Sequence, residues 1–267
     1  MCYDDDSHPP VPPMAGAAVD DRRIELTADD GDRFAAFRAD APQPRGAGIV
    51  VLPDVRGLHR FYEELAVRFA EAGVDAVAID YFGRTAGVGR RDASFEHMPH
   101  VSRTTFAGLR ADIRAAAAHL RAERPIRALF TVGFCFGGRL AFLSGTLSEL
   151  EPSGVIGFYG VPLGPARNDM PEPVEVADRI VCPVLGLFGE ADPGIPPESL
   201  ERFDDALDEA GIDHELVTYP GAPHSFFDRK ADEHADASAD AWRRVLEFVG
   251  QHTPVAGYAG LKATHRP

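Results

Sequence analysis

Cys135, Asp192 and His224 are the residues whose types could together carry a reaction. A thiol is a good nucleophile as its thiolate, and an imidazole can take the thiol proton. A carboxylate can hold that imidazole in one tautomer and stabilise the imidazolium. Asp192 lies 57 positions after Cys135, and His224 lies 32 after Asp192. Cys135 stands in Gly133-Phe134-Cys135-Phe136-Gly137-Gly138, with an apolar run before it and a helical pattern, Arg139 to Leu143, after it. Glycines two positions either side suit a sharp strand-to-helix turn, where a Cβ would collide with its neighbours. Such a turn sets the thiol at a helix N-terminus, whose unpaired N–H groups favour a thiolate. A buried structural cysteine in a glycine-rich turn would have the same local pattern. The ordered acid and histidine favour chemistry over packing.

The elements that must position these residues can be read next. Apolar runs at 48–52, 75–80, 128–132, 154–159, 183–188 and 214–219 predict strands, mostly covered on both faces. Helical spacing at 61–72, 106–121, 197–210 and 231–250 alternates with them, and a further helix follows Cys135. Segments 23–27 and 33–38 flank an Asp-Gly turn and predict an edge hairpin. The alternation predicts an α/β fold, a mostly parallel central sheet with helices on both faces. The expected organisation is an extended arm over residues 1–22, one α/β domain over 23–251 and a tail over 252–267. Ligands bind such sheets at the carboxyl ends of the strands. Asp54, Tyr81, Cys135, Tyr159, Asp192 and His224 all fall there.

The irregular segment 81–103 carries Arg84, Arg90, Arg91, His97, His100 and Arg103. Its length predicts a functional or lid-like role. His97 and His100 have the spacing of a metal pair, yet no third ligand has a recognisable spacing. They read as loop histidines, and no metal is expected.

Composition narrows the function. The 267 residues are 45% hydrophobic and carry a formal net charge of −15. Phosphate-rich partners would be repelled, so neither nucleic acid nor an anionic membrane surface is expected. A small anionic substrate remains compatible with local arginines. The three cysteines, Cys2, Cys135 and Cys182, form no CxxC pair and no disulfide framework. No secretory signal and no apolar run of about 18 residues is seen. The expectation is a soluble, cytoplasmic monomer with a reduced thiol.

From about Arg23 to Gly250 the chain resembles the dienelactone hydrolases, members of the α/β-hydrolase superfamily. The resemblance rests on Val51-Leu52-Pro53-Asp54-Val55-Arg56-Gly57, Ala78-Ile79-Asp80-Tyr81-Phe82-Gly83-Arg84, the elbow at Cys135, Gly157-Phe158-Tyr159-Gly160, Gly189-Glu190-Ala191-Asp192 and Tyr219-Pro220-Gly221-Ala222-Pro223-His224-Ser225-Phe226. The Met1-Cys2-Tyr3 start is similar to a bacterial subgroup. The resemblance implies the α/β-hydrolase fold, a Cys135-Asp192-His224 triad and an oxyanion hole from the N–H groups of Val55 and Phe136. It implies hydrolysis of a small ester or lactone through a thioester, with no cofactor. Asp54 fills the position of the family's glutamate, the resting partner of the thiol, and could equally cap the following turn. Asp228 takes the place of a family arginine, with Arg229 one position later. Arg56, Tyr81, Arg84, Arg103, Tyr159 and Arg229 are the candidates for binding substrate, while Arg90 and Arg91 are expected in solvent. Tyr81 and Tyr159 could equally be core packing. The altered pocket leaves a second reading open: a non-hydrolytic isomerase, cyclase or ligand-binding relative on the same scaffold.

Overall fold

The computed structural model describes residues 7–14, 18–164 and 168–255. An antiparallel hairpin, β1 (Asp20–Thr27) and β2 (Arg33–Asp40), leads into β3 (Ala47–Leu52). Then follow α1 (Arg60–Glu71), β4 (Val74–Ile79), the short α2 (Gly83–Ala86) and α3 (Met98–Val101), and α4 (Phe106–Glu123). The second half holds β5 (Ala128–Phe134), α5 (Phe136–Ser144), β6 (Gly154–Phe158), β7 (Val184–Gly189), α6 (Pro197–Ala210), β8 (His214–Tyr219) and α7 (Ala235–Gln251).

The eight strands form one sheet in the order β1-β2-β4-β3-β5-β6-β7-β8. From β4 to β8 along that order every pairing is parallel. The expected mostly parallel α/β sheet is therefore present. Alternation along each strand feeds two apolar layers. Ile49 and Val51 of β3 join the layer of α1 and α7, which includes Phe61, Leu65, Val245 and Phe248. Val50 and Leu52 point to the other layer, with Leu109 and Ile113 of α4 and Leu140 of α5. The topology also creates a crevice. From β3 the chain moves by α1 to β4 on one side, while from β5 it moves by α5 to β6 on the other. The loops after β3 and β5 therefore part, which is where such sheets bind ligands.

Several boundaries differ from expectation for identifiable reasons. The arm ends at β1, which begins at Asp20 rather than after Arg22. The ladder reaches Asp20 opposite Asp40, and Asp40 accepts from both Arg22 and Arg38. Within the arm, His8 binds Glu64 at 2.6 Å and the Met14 N–H binds Glu71, laying it along α1. Segment 81–103 holds two one-turn helices. The final helix starts at Ala235 rather than Ala231, because Phe226, Phe227 and Asp228 are buried beneath the strand ends first. Thr253 and Pro254 are tied back, to Val249 and Arg127, rather than trailing free. Residues 256–267 lie outside the described residues.

Candidate active site

The elbow at Cys135 depends on contacts that only glycine permits. A Cβ on Gly133 would lie 1.8 Å from the Gly137 carbonyl oxygen. One on Gly138 would lie 2.5 Å from the carbonyl oxygen of Phe158, at the end of β6. Cys135 itself has φ 56° and ψ −110°, a strained conformation for a residue with a Cβ. Its N–H bonds the Phe158 carbonyl at 3.0 Å, and its carbonyl accepts from Arg139 in α5. The thiol thus projects from the start of α5, partly exposed. The turn after β6 and the loop after β8 share this strain: Tyr159 has φ 38° and Ser225 φ 63°. Residues held this way persist only where surrounding structure over-determines them.

The loops after β7 and β8 are stitched together. Glu190 and Ala191 donate to the carbonyls of Tyr219 and Ala222, at 3.0 and 2.9 Å. This brings Asp192 to His224. Asp192 is buried, its Oδ1 accepts from the Gly194 N–H at 2.9 Å, and its Oδ2 lies 2.6 Å from His224 Nδ1. With Nδ1 protonated and donating to Asp192, the basic lone pair of the imidazole is on Nε2. The Tyr159 ring packs against the imidazole at 4.9 Å between centroids. Its hydroxyl donates to Asp228 Oδ2 at 2.7 Å. Burial pushes the Asp228 carboxyl well above the ordinary range, and the nearby Asp54 charge adds to this. The Tyr159 and Arg229 hydrogen bonds pull the other way.

The loop after β3 is fixed from several sides. Tyr81 donates its hydroxyl to the Pro53 carbonyl at 2.8 Å. Burial, then the charges of Asp54 and Asp80, push the Tyr81 hydroxyl well up, which keeps it a donor. The Asp54 N–H donates to the Tyr62 hydroxyl, and Asp54 Oδ1 accepts from the Arg56 N–H at 2.8 Å. Gly57 donates to the Asp54 carbonyl, and Leu58 to Asp80 Oδ1. Within this run, no hydrogen bond to another described residue engages the N–H of Val55, nor that of Phe136 across the crevice. Asp54 does form the turn-capping bond expected of the alternative reading. It is also fully buried and close enough to Tyr81 and Asp228 to raise both.

The arginines are placed differently from expectation. Arg91 is buried rather than solvated. It pairs with Asp80 at 2.9 Å and its guanidinium lies 4.6 Å from the Phe95 ring. Asp80 therefore joins segment 81–103 to the loop after β3. Arg84 is committed to other carboxylates: it bonds both oxygens of Asp112 at 2.8 Å and also Asp30 in the hairpin turn. The guanidinium offered as a substrate candidate is thereby engaged by protein carboxylates. Arg103 is exposed, in a cleft it shares with Arg84 and Thr105. Arg90 is exposed, as expected. Arg56 is buried in the loop after β3, and its charge, after burial, lowers the nearby His97. Arg229 is half-buried beside Asp228. His100 stacks on Phe95 at 5.0 Å, a packing role. Cys182 is buried and its thiol is pushed up to about 12 by burial, so it is unreactive. Cys2 lies outside the described residues. Tyr62, Asp80 and the Tyr159–Asp228 bond were not foreseen. Only Asp80 carried a signal, a charge at the end of an apolar strand.

The sequence model described as the dienelactone hydrolase family matches residues 34–253. A "Putative carboxymethylenebutenolidase" of Methylorubrum extorquens is 31% identical over 209 residues, covering 76% of this chain and 72% of that protein. The carboxymethylenebutenolidase of Rhodococcus opacus is 28% identical over 263 residues, covering 96% and 98%. Among solved structures, the "Putative Dienelactone Hydrolase" of Klebsiella pneumoniae subsp. pneumoniae superposes with a TM-score of 0.76 at 28% identity, over 88% of this chain and 99% of that one. With the elbow, the acid–histidine pair and these matches in hand, the chain belongs to the dienelactone hydrolase family.

Proposed function

We propose that the protein hydrolyses a small ester or lactone through a Cys135-His224-Asp192 triad. The observation that carries this reading is the 2.6 Å contact between Asp192 and His224, on the same sheet edge as a strained Cys135 at the start of α5. The Cys135 thiol gives its proton to His224 Nε2, and Sγ attacks the substrate carbonyl carbon. The oxygen of the tetrahedral adduct becomes an oxyanion, held by the N–H groups of Val55 and Phe136. The adduct collapses, the C–O bond to the leaving oxygen breaks, and that oxygen takes the proton from His224. A thioester on Cys135 remains. In a lactone the leaving hydroxyl stays attached to the acyl group. Water then gives a proton to His224 and adds to the thioester. Collapse releases the carboxylic acid, and the proton returns to sulfur. Asp192 keeps Nδ1 protonated throughout and stabilises the imidazolium.

Asp54 is the proposed resting partner of the thiol, and Arg56 and Arg229 the residues nearest the substrate. A reducing compartment such as the cytoplasm suits a thiol nucleophile. The test is turnover of a panel of activated esters and enol-lactones by the wild type and Cys135→Ala. The expected result is loss of activity in the variant. A mass adduct equal to the acyl group, on Cys135, is expected with a slow ester. Equal turnover in both proteins would overturn the mechanism.

A further inference from the structure

We propose that Asp228 and Tyr159 are positioning residues for His224: the Asp228 carboxyl fixes the Tyr159 hydroxyl, and the Tyr159 ring holds the imidazole in the plane that aims Nε2 at Cys135. This rests on the function proposed above.

The Nδ1 bond to Asp192 fixes one atom of the imidazole. A ring packed against the imidazole constrains its plane as well, and Tyr159 packs there, its centroid 4.9 Å away and its plane tilted by 54°. The tyrosine is itself held on every side. It is fully buried, and its ring meets Phe134, Phe158 and Phe226 at 6.3, 6.0 and 5.7 Å. Its buried hydroxyl donates to Asp228. Asp228 lies four positions after His224, on the same loop. Its two oxygens take the Tyr159 hydroxyl and the Arg229 N–H. The bond therefore ties the end of β6 to the loop that carries the histidine, across 69 positions of chain. Tyr159 sits at positive φ, and so does Ser225, three residues before Asp228 on the same loop. A cross-link between two strained turns accounts for their persistence.

The experiment compares Tyr159→Phe, Asp228→Asn and Asp228→Ala with wild type. Tyr159→Phe keeps the ring and removes only the hydroxyl. Asp228→Asn keeps one oxygen for the Tyr159 hydroxyl, while its NH2 cannot accept from the Arg229 N–H. Two rates are read: kcat and KM with p-nitrophenyl acetate, and carbamidomethylation of Cys135 by iodoacetamide at about pH 7, followed by peptide mass. Tyr159→Phe should lower kcat roughly tenfold, the loss of one buried hydrogen bond, with KM within about twofold. Alkylation of Cys135 should slow by a similar factor, since a misaimed imidazole takes the thiol proton less readily. Asp228→Ala should match it, and Asp228→Asn, which keeps an acceptor for Tyr159, should lose less than Asp228→Ala. Wild-type kcat and alkylation in Tyr159→Phe would overturn the proposal. So would an Asp228→Asn as impaired as Asp228→Ala. If Asp228→Ala fails to fold, Tyr159→Phe and Asp228→Asn decide alone. A wild type that turns over no ester, with Cys135 alkylation slowed in Tyr159→Phe, would overturn the hydrolase reading and support the positioning pair. A hydrolytic wild type with unchanged rates in Tyr159→Phe would do the reverse.

Discussion

Gly137→Ala tests the geometry of the elbow most directly. A Cβ there would lie 2.1 Å from the Leu52 carbonyl oxygen and 2.3 Å from that of Pro53. Both are backbone atoms, so no side-chain rotation relieves the overlap. To open the nearer contact from 2.1 to 3.0 Å, the first turn of α5 must retreat from the end of β3 by about 0.9 Å. Tyr81 holds Pro53 from the other side, which makes the loop a poor place to absorb the shift. The contact lies between the two proposed oxyanion donors, Phe136 on the helix and Val55 on the loop. Parting them weakens at least one, and loss of one such donor costs about 2.7–4 kcal/mol, or 10²–10³ in kcat. The packing strain itself should cost about 1–3 kcal/mol of stability. The assay pairs kcat on an activated ester with a urea unfolding curve on the same sample. The expected outcome is a folded protein with a lowered midpoint and kcat reduced about a hundredfold. Wild-type kcat would refute the reasoning. So would a kcat loss no larger than the unfolded fraction.

Three other outcomes are expected. Gly250→Ala, on the exposed face of α7 with open space around its Cβ, should raise stability by about 0.5–1 kcal/mol in the same unfolding assay. Arg84→Met should leave KM for esters unchanged while costing about 3 kcal/mol of stability, the lower end for a broken buried pair because Arg84 is partly exposed. A raised KM would return Arg84 to the substrate. Burial pushes Asp112 up to about 7 against the two bonds from Arg84. Its folded value exceeds its unfolded one, so its contribution is complete below the ordinary carboxylate value, near pH 4, and is lost as pH rises through about 7. The unfolding free energy, measured at several pH values between about 4 and 8, should therefore fall with pH in wild type by on the order of 2 kcal/mol more than in Asp112→Asn. Parallel curves would contradict this.

The residue types and their order already determined much of this protein. Apolar runs too short for helices, alternating with helical spacing, specify the layered sheet, because each face of a buried strand needs a cover. The glycines around Cys135 are legible because their reason is local: a turn that tight excludes a Cβ. Asp192 and His224 are legible because strand ends are where such sheets place chemistry. Partners were not legible. Arg84 and Arg91 look alike in sequence, yet one closes on Asp112 and Asp30 while the other is buried on Asp80. The bond from Tyr159 to Asp228 spans 69 positions and has no periodicity to announce it. Asp54 caps its own turn and still faces Asp228, a proximity that exists only after β3 and β8 are brought into one sheet. Chain order decides which groups reach the catalytic edge. Their pairing is decided by the burial that folding imposes, since a charge or hydroxyl removed from water must find its partner among whatever the fold has carried there.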